Sequence, residues 1–195
     1  MSIAILQAAG RRLLCLMLAA ATTSTAAQTP EPAWTVPAGS GWQRVHYDPS
    51  NGLIVFSSRQ TLSGTLKLEW ETSEEEMFTN LVFRPDAASR RRMPFVADAY
   101  NQNPMDILLN QVNLQANDNP PPAATPPRQL LARYFAGVPA SVLQRPEGRI
   151  SRPATITVSR FGMSVECDRR YYYADTVAIR PTARSHILSA GEDGC

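Results

Sequence analysis

His46 stands two residues before Asp48, the first pairing in this chain with residue types suited to acid–base work or nucleophile activation. The other histidine is His186, so no two histidines fall at helical spacing, and no Cys-x-x-Cys occurs. A zinc or haem site lacks its ligand pattern, and neither a metal nor a cofactor is expected. There is no Gly-x-Ser-x-Gly elbow, no Ser-x-x-Lys and no phosphate-cradling glycine loop. Carboxylates need no local motif, and Glu69 and Glu71 alternate on what reads as one strand face. That makes them neighbours on a solvated surface, whereas a glycosidase pair sits about 5 to 9 Å apart across a cleft. Glu74-Glu75-Glu76 reads as a solvated loop, with divalent cation binding as the rival. No catalytic residue is assigned.

Binding chemistry is better represented. Arg90-Arg91-Arg92 follows Arg84 and precedes Met93-Pro94-Phe95. Guanidinium forks match phosphate and carboxylate groups, and the apolar residues beside them could meet lipid. The plainer reading is an exposed basic loop partly neutralised by the nearby glutamates. In Tyr171-Tyr172-Tyr173 alternate rings must point to opposite strand faces, so Tyr172 is a second candidate, open to a ligand such as a glycan. The rival is a tyrosine whose ring is in the core and whose hydroxyl is wet.

These groups must be positioned by a mainly antiparallel framework. Ala154, Ile156 and Val158 alternate with Thr155, Thr157 and Ser159, but beyond Arg160 the apolar residues fall on odd positions, Phe161, Met163 and Val165. A one-residue slip turns every side chain over, so the chain must bulge or turn near Arg160-Phe161-Gly162, where glycine is sterically undemanding. Asp168-Arg169-Arg170 reads as a polar connection. A second strand follows, with Tyr171, Tyr173, Val177 and Ile179 on one face and Tyr172, Ala174, Thr176 and Ala178 on the other, forming a hairpin over Phe161–Ile179.

Nearer the N-terminus, Trp42–Tyr47 and Leu53–Ser58 flank Asp48-Pro49-Ser50-Asn51-Gly52, a strong turn signal. Ser63-Gly64 is expected to turn before the strand Thr65–Glu71, whose Leu66, Leu68 and Trp70 face inward and whose Lys67, the sole lysine, faces outward. Met77–Arg84 is a further strand, closed by Pro85. Asn103, Pro104 and Asp106 suit a helix start, and Met105, Leu108, Leu109, Val112 and Ala116 recur at helical spacing. Residues 117–127 form a Pro-rich linker, read as a stiff spacer and not as a ligand for a proline-binding partner. A second helix is expected over Arg128–Ala136, ended by Gly137.

The fold class is therefore α+β, mainly antiparallel sheet with two short helices, in a single domain over residues 42–195. Two domains divided at the linker would leave a C-terminal piece too small to be stable without a staple. Residues 28–41, rich in proline and glycine, read as a flexible leader.

Residues 1–27 have the form of a signal peptide. Arg11-Arg12 precede an apolar run over Leu13–Ala21, shorter than the roughly 20 residues needed to span a bilayer, and Thr22–Ala27 are small. Cleavage leaves no transmembrane segment and implies a periplasmic or secreted protein. It also removes Arg11 and Arg12 from the 19 basic residues, leaving 17 against 17 acidic ones, so no nucleic-acid affinity is expected. Cys167 and Cys195 are then the only cysteines, and an oxidising compartment predicts a disulfide between them. These features describe an exported, non-enzymatic envelope or secreted binding or accessory protein, with a protein, glycan or anionic lipid as partner. The alternative is an exported hydrolase using scattered carboxylates or His46.

Overall fold

The computed structural model describes residues 34–73, 76–96, 105–109, 114, 125–166 and 169–188. Its elements in chain order are β1 (Trp34–Thr35), β2 (Gln43–Asp48), β3 (Leu53–Ser73), β4 (Glu76–Pro85), α1 (Ala87–Arg90), β5 (Phe95–Val96), β6 (Ile107–Leu108), α2 (Pro127–Tyr134), a 3-10 turn (Ala140–Gln144), β7 (Glu147–Glu166), β8 (Arg169–Pro181) and β9 (His186–Leu188). This is the expected mixture of antiparallel sheet and two short helices. The expected signal peptide and both cysteines of the expected bridge lie outside the described residues.

The sheet closes on itself. Strands run in the order β2-β3-β4-β6-β8-β7-β9, and β3 also pairs with β7, so β3, β4, β6, β8 and β7 form a five-stranded barrel. All pairings in it are antiparallel except the two-residue contact of β6 with β8. The barrel is filled with side chains: Phe56, Phe83, Phe161, Leu62, Leu66, Leu68, Ile107 and Ile156 are all without exposed surface. Closure through two residues suffices because Ile107 and Leu108 need only bridge Phe83 and Val82 on one side and Tyr172 and Tyr173 on the other.

The hairpin from β2 to β3 forms as its turn signal predicts. Asp48 Oδ1 accepts from Ser50 N at 2.9 Å, Asn51 Oδ1 accepts from Leu53 N at 2.9 Å, and Gly52 takes a φ of 65. The parity break in β7 is a bulge, one residue before the expected place. Against β8, Val158 pairs with Thr176 and Arg160 with Asp175, so Ser159 is the extra residue; against β3 it stands opposite Ser58 and Arg59. Gly162 has a different task. A Cβ there would lie 2.9 Å from Leu114 Cδ2, and Leu114 belongs to a small outer cluster with Leu53, Val55 and Tyr173.

Three expectations are corrected. Ser63-Gly64 is not a turn: β3 runs unbroken through it, and Gly64 permits a close approach of β4, because a Cβ would meet Arg84 O at 2.1 Å. The helix expected over 103–116 does not form at its described residues, where Ile107–Leu108 is strand, since barrel closure outweighs weak local helical periodicity. In β8 a second bulge leaves Val177 without a register partner, so Tyr172 and Ala174 are buried while Val177 is 55% exposed. Simple alternation therefore does not hold along the whole of β8, and Tyr172 and Tyr173 are both buried, Tyr172 in the core and Tyr173 in the outer cluster.

The expected leader is structured from Trp34 onward. Trp34 pairs with Val96 and meets the Phe56 ring edge-on at 5.4 Å. Helix α2 matches expectation closely, but Pro127 is its first residue and not part of a spacer, as suits proline at N1. Its Leu130, Leu131 and Tyr134, with the following Phe135, join the core, and Gly137 ends it at a φ of 90.

Candidate functional site

The arginine cluster emerges from a short, fully hydrogen-bonded turn. Asp86 caps α1 by accepting from Ser89 N at 2.7 Å, and its other oxygen accepts from Ser63 Oγ at 2.7 Å. Ser89 Oγ in turn accepts from Ser63 N at 2.9 Å, so the cap is fastened to β3. Backbone N–H groups of Arg90, Arg91, Arg92 and Met93 donate to the carbonyls of Asp86, Ala87, Ser89 and Arg90. Arg92 O accepts from Trp42 Nε1 at 3.0 Å, and Arg92 Nη2 donates to Thr61 O at 3.1 Å. Arg90, Arg91 and Arg92 are exposed on this held backbone, and among the described residues none of them has a carboxylate within ion-pair distance.

The residues expected to accompany them are employed elsewhere. Met93 and Pro94 are buried, which leaves Phe95, 40% exposed, as the apolar neighbour. Arg84 is committed to Asp106 through two bonds, Nε to Oδ1 at 2.7 Å and Nη2 to Oδ2 at 2.6 Å. Local periodicity assigns Asp106 to a helix start, whereas the pairing of β6 with β4 brings it to Arg84.

Lys67 shares that carboxylate. Its ammonium lies 3.6 Å from Asp106 Oδ2, and the side chain, expected outward and wet, is only 8% exposed. Burial lowers the Lys67 ammonium below its ordinary value, with Asp106 pulling the other way. Burial would raise the Asp106 carboxyl, but the Arg84 hydrogen bonds and the Lys67 and Arg84 charges together hold it below the usual range. Bonding to Asp106 raises Arg84. Across β3 and β7, Glu69 pairs with Arg149 at 2.8 Å. This ladder of alternating charges spans β4, β3 and β7 and the residue preceding β6, and has the form of a structural staple.

The remaining candidates do not assemble into a reactive constellation. His46 is exposed on β2, a strand paired only with β3, and Asp48 is occupied by Ser50 through its backbone and hydroxyl. Glu69 is held by Arg149, while exposed Glu71 stands opposite Glu147 in the β3–β7 register. Tyr172 is corrected as a surface contact: it is 5% exposed and stacks on Phe161 at 6.0 Å, and burial raises its phenol. Among the described residues no three His, Cys, Asp or Glu side chains converge on a metal position, and no helix is long and apolar enough to cross a membrane. No family model, no curated protein and no solved structure matches the chain.

Proposed function

We propose that this is an exported, non-enzymatic binding or accessory protein of the envelope or the secreted fraction, and that its contact surface is the Arg90-Arg91-Arg92 turn. The observation that carries the reading is the combination of three exposed guanidiniums with a backbone whose N–H groups are all satisfied. A held backbone lowers the entropic cost of ordering the forks on a partner. Carboxylate- or phosphate-rich surfaces are the fitting partners, and an anionic bilayer offers such groups at high density. The packed barrel interior supports a role exercised on the outer surface.

Co-sedimentation of the exported protein with phosphatidylglycerol-containing vesicles tests this, with phosphatidylcholine vesicles as control. Wild type is expected to bind the anionic vesicles in a salt-dependent way, and the triple variant Arg90→Ser, Arg91→Ser, Arg92→Ser is expected to lose that binding while keeping its melting temperature. Equal binding by the folded triple variant, or no binding by wild type to vesicles or to any acidic envelope protein, overturns the assignment.

A further inference from the structure

A second basic feature lies away from the arginine turn. Residues 136–138, just past α2, and residues 181–185, just past the body of β8, enclose with Arg152 a cleft of about 580 Å³. Arg152 is unusual in its placement. It pairs with Leu66 in the β3–β7 register and lies between Ile150 and Ala154, on the face of β7 that is otherwise buried and apolar. Its Nη1 donates to Tyr134 O at 2.9 Å, and its Nη2 donates to Ala183 O, so one guanidinium ties the end of α2 to the far wall of the cleft.

Both acceptors are neutral carbonyls. Among the described residues Arg152 has no carboxylate within ion-pair distance, and its Nε is buried without an acceptor. Ser185, which also lines the cleft, has a buried hydroxyl without a partner. Arg184 is exposed at the same wall, with the Thr182 hydroxyl near it in sequence, and among the described residues no acidic side chain contributes to the lining. The rest of the lining is small and apolar: Ala136, Val138, Pro181 and Ala183. Gly137 adds open backbone, since a Cβ on it would meet nothing within 4 Å.

We propose that this cleft binds a small organic anion, a carboxylate or phosphate monoester with a short apolar body. Two guanidinium charges, two hydroxyls and no carboxylate among the described lining residues favour an anionic head, for which the exposed Arg184 fork supplies paired donors while Arg152 contributes its charge. The apolar wall accommodates a few carbon atoms beside it. A buried polar atom without a protein partner costs free energy, and a ligand oxygen that reaches Ser185 would recover part of it. The site uses none of the residues of the arginine turn and stands independently of the function assigned there.

The test is amide NMR of the exported chain, titrated with inorganic phosphate, butyl phosphate and butyrate at constant ionic strength, with chloride as control. Saturable shifts are expected at Gly137, Val138, Ala183 and Ser185, with butyl phosphate or butyrate tighter than inorganic phosphate. Saturation by butyl phosphate but not butyrate identifies a phosphate ligand; the reverse identifies a carboxylate. Arg184→Ala should weaken binding by about tenfold or more, the loss of one charge-assisted pair, with an unchanged melting temperature. Because Arg152 also holds the fold together, Ser185→Ala serves as the second variant, with a smaller loss. Retained binding in the Arg90, Arg91, Arg92 triple serine variant separates this site from the turn. Shifts that match those in chloride, or that persist unchanged in Arg184→Ala, overturn the proposal.

Discussion

Trp70 lies against Gly148 across the β3–β7 pairing, so closely that its indole takes the place of a side chain. A Cβ built on Gly148 would stand 2.2 Å from Trp70 Cζ2. The indole is held there by its Nε1, which donates to Arg145 O at 3.2 Å. Replacing Gly148 with alanine should force the ring off this position and weaken that bond. A loss of about 1–3 kcal/mol is expected, as for other overpacked core sites. Urea denaturation followed by tryptophan fluorescence measures it, and an unchanged midpoint would show that the ring relaxes without cost.

Gly64 is the stricter case because the obstacle is backbone. A Cβ would meet Arg84 O at 2.1 Å and Pro85 Cα at 2.9 Å, and neither can rotate away. Gly64→Ala is expected to separate β3 from β4 locally and to cost more than Gly148→Ala in the same denaturation assay. It should also expose Asp86, whose main chain N–H donates to Ser63 O at 2.9 Å, to faster amide exchange.

The Arg84–Asp106–Lys67 group makes stability depend on pH. The Asp106 carboxyl is held low in the folded protein, so its contribution is present above its unfolded value, about 3.9, and is lost as pH falls through the folded value. Asp106→Asn should flatten the acid limb of the stability profile. At neutral pH it should also cost about 1–3 kcal/mol, because it leaves Arg84 and the buried Lys67 without their counter-charge. The cost stays below that of a fully enclosed pair, since Asp106 and Arg84 keep 36% and 43% of their side chains exposed. Lys67 acts with the same sign in the alkaline range: burial lowers its ammonium, so the folded state gains as pH rises through that lowered value toward about 10.4. Melting temperatures of both proteins across acid and alkaline pH check the two limbs together.

The expected Cys167–Cys195 bridge gives a fourth prediction. Closing a loop of about 28 residues is worth roughly 3 to 4 kcal/mol on the chain-entropy estimate. Thiol titration of the unfolded chain lacking residues 1–27 and oxidised in air should find no thiol, and non-reducing electrophoresis should show a monomer. Two thiols, or a disulfide-linked dimer, would disprove it.

Local signals were legible in the sequence wherever neighbours along the chain decide the outcome. The run Asp48–Gly52 carries its own hydrogen-bond acceptors, so the β2–β3 turn needs nothing distant. Leu130, Leu131 and Tyr134 followed by Gly137 likewise announce a helix and its end, and the parity change at Arg160 announces a bulge, found at Ser159. The arginine turn was legible as composition: Arg90, Arg91 and Arg92 are exposed, as a charged run predicts.

What depended on the tertiary structure was everything that requires two distant segments to meet. Ile107 and Leu108 read as part of a helix, yet they are the strand that closes the barrel, because only there can they pair with both β4 and β8. Tyr172 turned inward because of a bulge at Val177, a register event between two strands that no single strand's alternation records. Lys67 is buried and Arg84 is taken from the basic cluster for one shared reason, the arrival of Asp106 beside them. Arg152, on a face that alternation reserves for apolar residues, is held through its two Nη atoms by carbonyls 18 and 31 residues away along the chain. A polar group can enter a core face only when such partners are supplied, and their supply is a property of the closed barrel.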